Sequence, residues 1–240
     1  MWSGPRNIST TLMRSFENRE DTFVSDEPFY AYYLKQTGVD HPGRDEIIAA
    51  QETDWRKVAA YLTGPAPRDK SVWYQKHMTH HFLPEINEAW MKRVVNCFLI
   101  RDPYEVLLSY KNVIQGEITA LDIGFPQQIG IFEYVWRITK TKPLVIDARD
   151  VQENPRGLLT ALCAAAGIPF TERMLSWPPG RRDTDGVWAK YWYDNVERST
   201  GFLPYKPKTE PLPEALKPVL EECRPIYEEM SRERVVAGAP

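Results

Sequence analysis

Cysteine is scarce. Cys97, Cys163 and Cys223 are the only three in 240 residues, and they are odd in number and far apart. Neither a disulfide framework nor a cysteine zinc site follows from them. No apolar run approaches the roughly 18 residues of a membrane span; the longest, around residues 94–100, is the size of a strand. The first residues, Met1-Trp2-Ser3-Gly4-Pro5-Arg6, lack the apolar stretch of a signal peptide. An excess of positive charge is missing too: 30 basic residues stand against 33 acidic ones, for a net charge of −3. A general attraction to nucleic acid is therefore not expected, and any bound anion must be gripped by a local cluster of cations. Together these absences read as a soluble chain of a reducing, cytoplasmic compartment, with neither membrane nor nucleic acid as a partner. What the chain does have is apolar content of 42% and aromatic content of 12%, enough to close a core and to exclude wholesale disorder.

Strand-like and helix-like segments alternate, as in α/β proteins. Residues 93–100 are short, apolar and β-branched at the start, which predicts a strand buried on both faces. Arg101-Asp102-Pro103 ends it, and residues 104–113 read as a helix with Val106, Leu107 and Tyr110 on one side. Residues 142–147 form a second buried strand. Asn154-Pro155 then opens a helix through Leu158, Leu159, Leu162 and Cys163 that Gly167 closes. A third strand is predicted at 71–75 and a very short one at 23–25. The chain divides into an α/β core (1–176), a loop-rich aromatic segment (177–213), and a C-terminal helix with a frayed tail (214–240). Its length fits one domain over 1–240.

The hydroxyl-rich run Ser9-Thr10-Thr11 leads into a helix whose apolar face is Leu12, Met13 and Phe16. Free backbone N–H groups, the positive end of the helix dipole and several hydroxyls would converge there, the physics of a phosphate or sulfate site. Arg6 adds a permanent forked charge. The alternative is that Ser9 or Thr10 is simply a helix cap. The pattern Gly-x-x-x-x-Gly-Lys-Ser/Thr is absent, which argues against nucleotide hydrolysis with a tightly held Mg²⁺. Farther on, Arg101 stands at the carboxyl end of a buried strand, where open α/β sheets bind ligands. Ser109, one helix later, can turn back to share an oxyanion with it.

Both segments resemble the sulfotransferases that take their sulfuryl group from 3′-phosphoadenosine 5′-phosphosulfate (PAPS). Gly4, Pro5, Arg6, Asn7, Ser9, Thr10 and Thr11 resemble that family's 5′-phosphosulfate loop, and Arg101-Asp102-Pro103 with Ser109 resembles its 3′-phosphate motif. Asp147-Ala148-Arg149-Asp150 and Gly167-Ile168-Pro169-Phe170 are similar to a later family segment. The likeness covers the chain up to about residue 170. It implies a P-loop-like three-layer fold, a central mostly parallel sheet flanked by helices. It also implies PAPS as co-substrate, no metal, and a small-molecule acceptor bearing a hydroxyl or amine.

The resemblance also implies roles. Arg6 stabilises the leaving phosphate electrostatically, since arginine does not readily give up a proton. His77, in Tyr74-Gln75-Lys76-His77, falls at the catalytic histidine of cytosolic sulfotransferases, with Lys76 one place from the family's lysine position. Glu27, in Ser25-Asp26-Glu27-Pro28, matches the catalytic glutamate of carbohydrate sulfotransferases. Either His77 or Glu27 is the expected base, and a purely structural histidine or a turn carboxylate are the alternatives. Arg198 is the candidate for a loop that returns to the 3′-phosphate. His77, His80 and His81 could instead suggest a metal site, but Pro84 limits the helix such a site would need.

One departure stands out. Only Met1 and Trp2 precede Ser3-Gly4, where the family runs a buried strand into its phosphosulfate loop. The expectation is that about four to six strand residues are missing, that the native chain starts upstream, and that the sheet otherwise lacks its first strand. Two competing functions remain: a small-molecule kinase of P-loop type, and a nucleotide-binding domain without chemistry.

Overall fold

The structure, a computed structural model, describes residues 1–114 and 116–238. Five strands, β1 (Trp2–Ser3), β2 (Thr22–Asp26), β3 (Val72–Met78), β4 (Cys97–Ile100) and β5 (Leu144–Asp147), lie in the order β2-β3-β1-β4-β5. Every pairing is parallel. The helices are α1 (Ser9–Glu17), α2 (Tyr30–Thr37), α3 (Arg44–Ala50), α4 (Trp55–Leu62), α5 (Pro103–Tyr110) and α6 (Phe125–Thr139). They continue with α7 (Ala148–Glu153), α8 (Pro155–Ala165), α9 (Ala189–Trp192), α10 (Asp194–Glu197) and α11 (Lys217–Arg232). Among the described residues, no helix is long and apolar enough to cross a membrane.

Alternation along the strands separates two cores. Leu99 and Ile146 point into one, with Leu12, Met13 and Phe16 of α1 and Leu158, Leu159 and Leu162 of α8. Phe98, Ile100 and Val145 point into the other, with Val58 and Leu62 of α4, Ile131, Phe132 and Val135 of α6, and Met230 of α11. The result is the expected three-layer α/β architecture.

Local chemistry sets several boundaries. The Asp102 side chain accepts the Tyr104 amide at 2.9 Å and Pro103 occupies the first position of α5, a capped start. Asn154 caps α8 through the Gly157 amide at 2.9 Å, again with proline next. β4 begins four residues later than the sequence suggests, after a 3₁₀ segment at Glu88–Arg93. β3 runs on to Met78 because its continuation pairs with β1.

The sheet does have a strand at its centre, but one of two residues. Trp2 aligns with His77 on one side and Phe98 on the other. The Met1 amine donates to the Gln75 carbonyl at 2.7 Å, and the His77 amide donates to the Met1 carbonyl at 2.8 Å. Trp2, 1% exposed, anchors the stub by donating its indole N–H to Asn96 Oδ1 at 3.0 Å. A cavity of about 390 Å³ is lined by Met1, Tyr74, Gln75, Val95 and Asn96.

The aromatic segment after residue 176 is tied to the core by a buried ion pair and by buried aromatics. Arg14 on α1 and Asp185 form an ion pair at 2.6 Å with side chains 1% and 0% exposed. Trp188 and Tyr193 are buried in the α1 core, whereas Tyr191 is exposed.

Candidate active site

Because all the strands run the same way, their carboxyl ends share one rim. The chain works to one side of β1 with β2 and β3 and to the other with β4 and β5, so β1 is the switch point where open α/β sheets form ligand crevices. A cavity of about 320 Å³ lies along that rim. Its lining includes Pro5, Arg6, Asn7, Ser9, Thr10 and Thr11 after β1, Glu27 after β2, Lys76, His80 and His81 at the end of β3, and Arg101 and Ser109 at β4 and α5. The segment around α10 closes one wall with Trp192, Tyr193, Val196, Ser199 and Phe202.

The two candidate anion segments touch. Arg6 donates from Nε to Ser109 Oγ at 2.9 Å, and Arg101 donates to the Arg6 carbonyl at 2.7 Å. Burial and the neighbouring Arg101 charge both lower the Arg6 pKa, so two crowded cations face one cavity and favour an anion between them. The residue preceding α1 is Ile8, whose side chain makes no capping hydrogen bond. That leaves Ser9 and Thr10 inside the helix rather than acting as its cap. Arg6 and Ile8 hold φ of 64° and 55°. For a β-branched residue such as Ile8 this is a costly conformation.

Close backbone approach fixes the loop. A Cβ on Gly4 would sit 2.3 Å from the Ile123 carbonyl oxygen, and one on Gly124 would sit 2.3 Å from Thr79 Oγ1. Asn7 donates to the Leu99 carbonyl at 3.3 Å, tying the loop to β4. Arg101 is itself steadied by Glu105, whose Oε2 accepts from its Nε at 2.9 Å, and the Tyr205 hydroxyl donates to Glu105 Oε1 at 2.6 Å.

Toward the β2–β3 side sits a buried polar knot. Lys76 Nζ donates to Asp26 Oδ1 at 2.8 Å, to the Tyr193 hydroxyl at 2.9 Å and to Glu27 Oε1. Tyr193 in turn donates to Asp26 Oδ2 at 2.7 Å. Burial, with the like charge of Asp26, raises the Glu27 pKa against the opposing pull of Lys76. Lys76 is held firmly protonated by its carboxylate partners despite its burial. Glu27 also carries a left-handed backbone, φ 44°. Burial pushes His80 down to about 3 and His81 well below the usual histidine range, so both are neutral imidazoles at pH 7.

His77 is elsewhere. It stacks on Trp2 with ring centroids 4.3 Å apart and lies near Phe29 and Trp90, on the opposite face of β3 from the cavity. The reason is strand alternation: Lys76 and Met78 face the cavity, and Gln75 and His77 face away. Arg198 is also outside. Its guanidinium is 67% exposed and bonds Asp194 at 3.1 Å, although Ser199, Gly201 and Phe202 beside it do line the cavity. Gly4 shapes the loop from beneath without lining the cavity. Among the described residues, no group of three or more His, Cys, Asp or Glu side chains is arranged to hold a metal ion.

A family model described as a sulfotransferase domain matches residues 1–234. The chain belongs to the sulfotransferase domain family. Solved sulfotransferase domains share the fold. One from the curacin biosynthetic pathway superposes with a TM-score of 0.57 at 18% identity, covering 98% of this chain and 96% of its own. Another, from the olefin synthase of Synechococcus PCC 7002, gives 0.53 at 15% identity over 92% of each chain. Two Arabidopsis thaliana proteins named branched-chain-amino-acid aminotransferase-like proteins 2 and 1 are 35% and 38% identical to this chain over 94% of its length. The chain spans 40% of each of those relatives.

In this sulfotransferase domain, Asp26 and Tyr193 hold Lys76 and Glu105 holds Arg101 beside the cavity, contacts that no local motif in the sequence marked. The alternation Lys76, Met78 against Gln75, His77 was visible in the sequence, but not which of the two sets faces the cavity.

Proposed function

We propose that this domain transfers a sulfuryl group from PAPS to a hydroxyl or amine of a small-molecule acceptor. The observation that carries the reading is the shared cavity. Arg6 with the hydroxyl-rich turn and Arg101 with Ser109 lie hydrogen-bonded to one another, with Glu27 on the same rim. The donor set fits a molecule with anionic groups at two points: the uncapped start of α1 with Ser9, Thr10 and Thr11 for the phosphosulfate, and Arg101 with Ser109 for the 3′-phosphate. When bound, PAPS supplies an activated sulfuryl group on a good leaving phosphate.

The protein's own residues supply positioning and electrostatics, which do most of the work in such loose transfers. Arg6 meets the charge that develops on the leaving oxygen. Glu27 is the base that accepts the acceptor's proton; its raised pKa suits that task. His77 is not assigned this role because the sheet lies between it and the cavity. Trp192, Tyr30 and the neutral His80 and His81 form the wall for the acceptor's body.

Calorimetry with 3′-phosphoadenosine 5′-phosphate (PAP) against ATP with Mg²⁺ tests the reading. Tight binding of the first and none of the second is expected. The reverse pattern would assign the cavity to a kinase.

A further inference from the structure

An ammonium has three protons, and Lys76 has three acceptors at Asp26, Glu27 and Tyr193. The two carboxylates around it are not equivalent. Both oxygens of Asp26 are engaged, Oδ1 by Lys76 and Oδ2 by the Tyr193 hydroxyl at 2.7 Å, with the Gly186 amide at 3.4 Å. Glu27 is engaged through Oε1 alone. Its Oε2 faces His81 Nδ1 at 3.8 Å, too far for a hydrogen bond, and that nitrogen has no hydrogen-bond partner. The Asp26 side chain is 1% exposed, while that of Glu27 is 11% exposed and lines the cavity.

We propose that Asp26, braced by Tyr193, is a positioning residue: it neutralises Lys76 and so leaves Glu27 Oε2 free to take up the acceptor's proton. The inference rests on the reading of Glu27 as the base. One lysine cannot neutralise two buried carboxylates. Both oxygens of Asp26 already accept hydrogen bonds, whereas Glu27 Oε2 opens on the cavity, so Glu27 is the carboxylate that a proton from the cavity can reach. The same brace reaches the cavity wall, because Tyr193 itself lines it, while Trp188 Nε1 donates to the Tyr193 hydroxyl at 3.3 Å from the core behind. The charged and titratable groups facing Glu27 are Lys76 on β3, Asp26 on β2, Tyr30 on α2, His81 after β3, and Tyr193 between α9 and α10.

The test reads the carboxyl carbon of Glu27 by NMR of protein labelled with ¹³C at the glutamate carboxyl, assigned by its disappearance in Glu27→Gln. Asp26→Asn keeps the shape and an acceptor for Lys76 but removes the charge. The Glu27 titration midpoint is expected to fall by about one pH unit or more, a tenfold change in its protonation equilibrium. An unchanged or higher midpoint would overturn the proposal. A second measurement decides the matter even if Asp26→Asn does not fold. In Glu27→Gln, the Lys76 Nζ nitrogen is expected to remain an ammonium beyond about pH 10.4, where ordinary lysines titrate. Loss of its proton together with the exposed lysines would show that Glu27, not Asp26, held the charge. Neither titration needs donor or acceptor. Failure of the base reading shows separately, as a Glu27→Gln protein that still turns over.

Discussion

Lys76 and His77 are neighbours in sequence, yet their side chains leave β3 on opposite faces. Lys76 joins Asp26 and Glu27 beside the rim cavity, and His77 stacks against Trp2 in the core behind the sheet. This one-residue difference puts Glu27 rather than His77 beside the cavity as the proposed base.

Glu27→Gln is expected to lower turnover by about 10²–10⁴-fold, the usual range for a lost general base, while PAP affinity stays within about twofold. His77→Gln should leave turnover largely intact and instead lower stability. PAP release with an acceptor panel, beside calorimetry on both variants, checks the pair. A larger turnover loss in His77→Gln than in Glu27→Gln would reverse the assignment.

Arg101→Ala removes a guanidinium that lines the cavity and also holds the Arg6 carbonyl. The expected loss in PAP affinity is about 1.5–3 kcal/mol, the range for a hydrogen bond to a charged group. Calorimetry at fixed ionic strength measures it. Arg101→Lys should recover only part, because a point charge does not reproduce the fork.

The Arg14–Asp185 pair tests what fastens the aromatic segment to α1. Asp185→Ala leaves a cation in a site only 1% exposed with Glu17, at 3.2 Å, as its remaining carboxylate. The expected destabilisation, read from urea unfolding, is below the roughly 3–5 kcal/mol of a buried charge left with no partner. The double variant Arg14→Met with Asp185→Leu should recover most of it, since the pair is replaced by apolar volume.

Acid should unfold the protein with uptake of protons by histidines. His77, His80 and His81 all have folded pKa values below their ordinary value, because burial disfavours the charged form. The unfolded chain therefore binds protons that the folded chain does not, once pH falls below about 6.5. Stability is full above that value and declines as pH drops toward about 3, where His80 protonates in the folded state. Glu27, with its raised pKa, works in the opposite sense: its protonated form favours the folded state as pH falls. The pH dependence of urea midpoints should show a slope smaller by about one proton in His80→Gln.

Much of this was legible in the sequence. Residues 98–100 and 144–146 carry the apolar character of buried strands, and Asp102-Pro103 and Asn154-Pro155 mark helix starts that the structure confirms. Arg6, Ser9, Thr10, Arg101 and Ser109 could be grouped because two local motifs each pointed to an anion. The polar knot could not be foreseen in the same way. Asp26, Lys76 and Tyr193 come from segments up to 167 residues apart, and only the parallel pairing of β2 with β3 and the return of the aromatic segment bring them together. Arg198 is close to the cavity along the chain, but its guanidinium bonds Asp194, an orientation no local motif specifies.

Gly4 and Gly124 leave no room for even a methyl group where the loop after β1 passes the backbone at Ile123 and the hydroxyl of Thr79. The seat of the loop that carries Arg6 is thus set at Gly4 by bare main chain. An alanine at Gly4 would act as a shim, pushing Arg6 off its line to Ser109 while leaving every charged group of the cavity chemically unaltered.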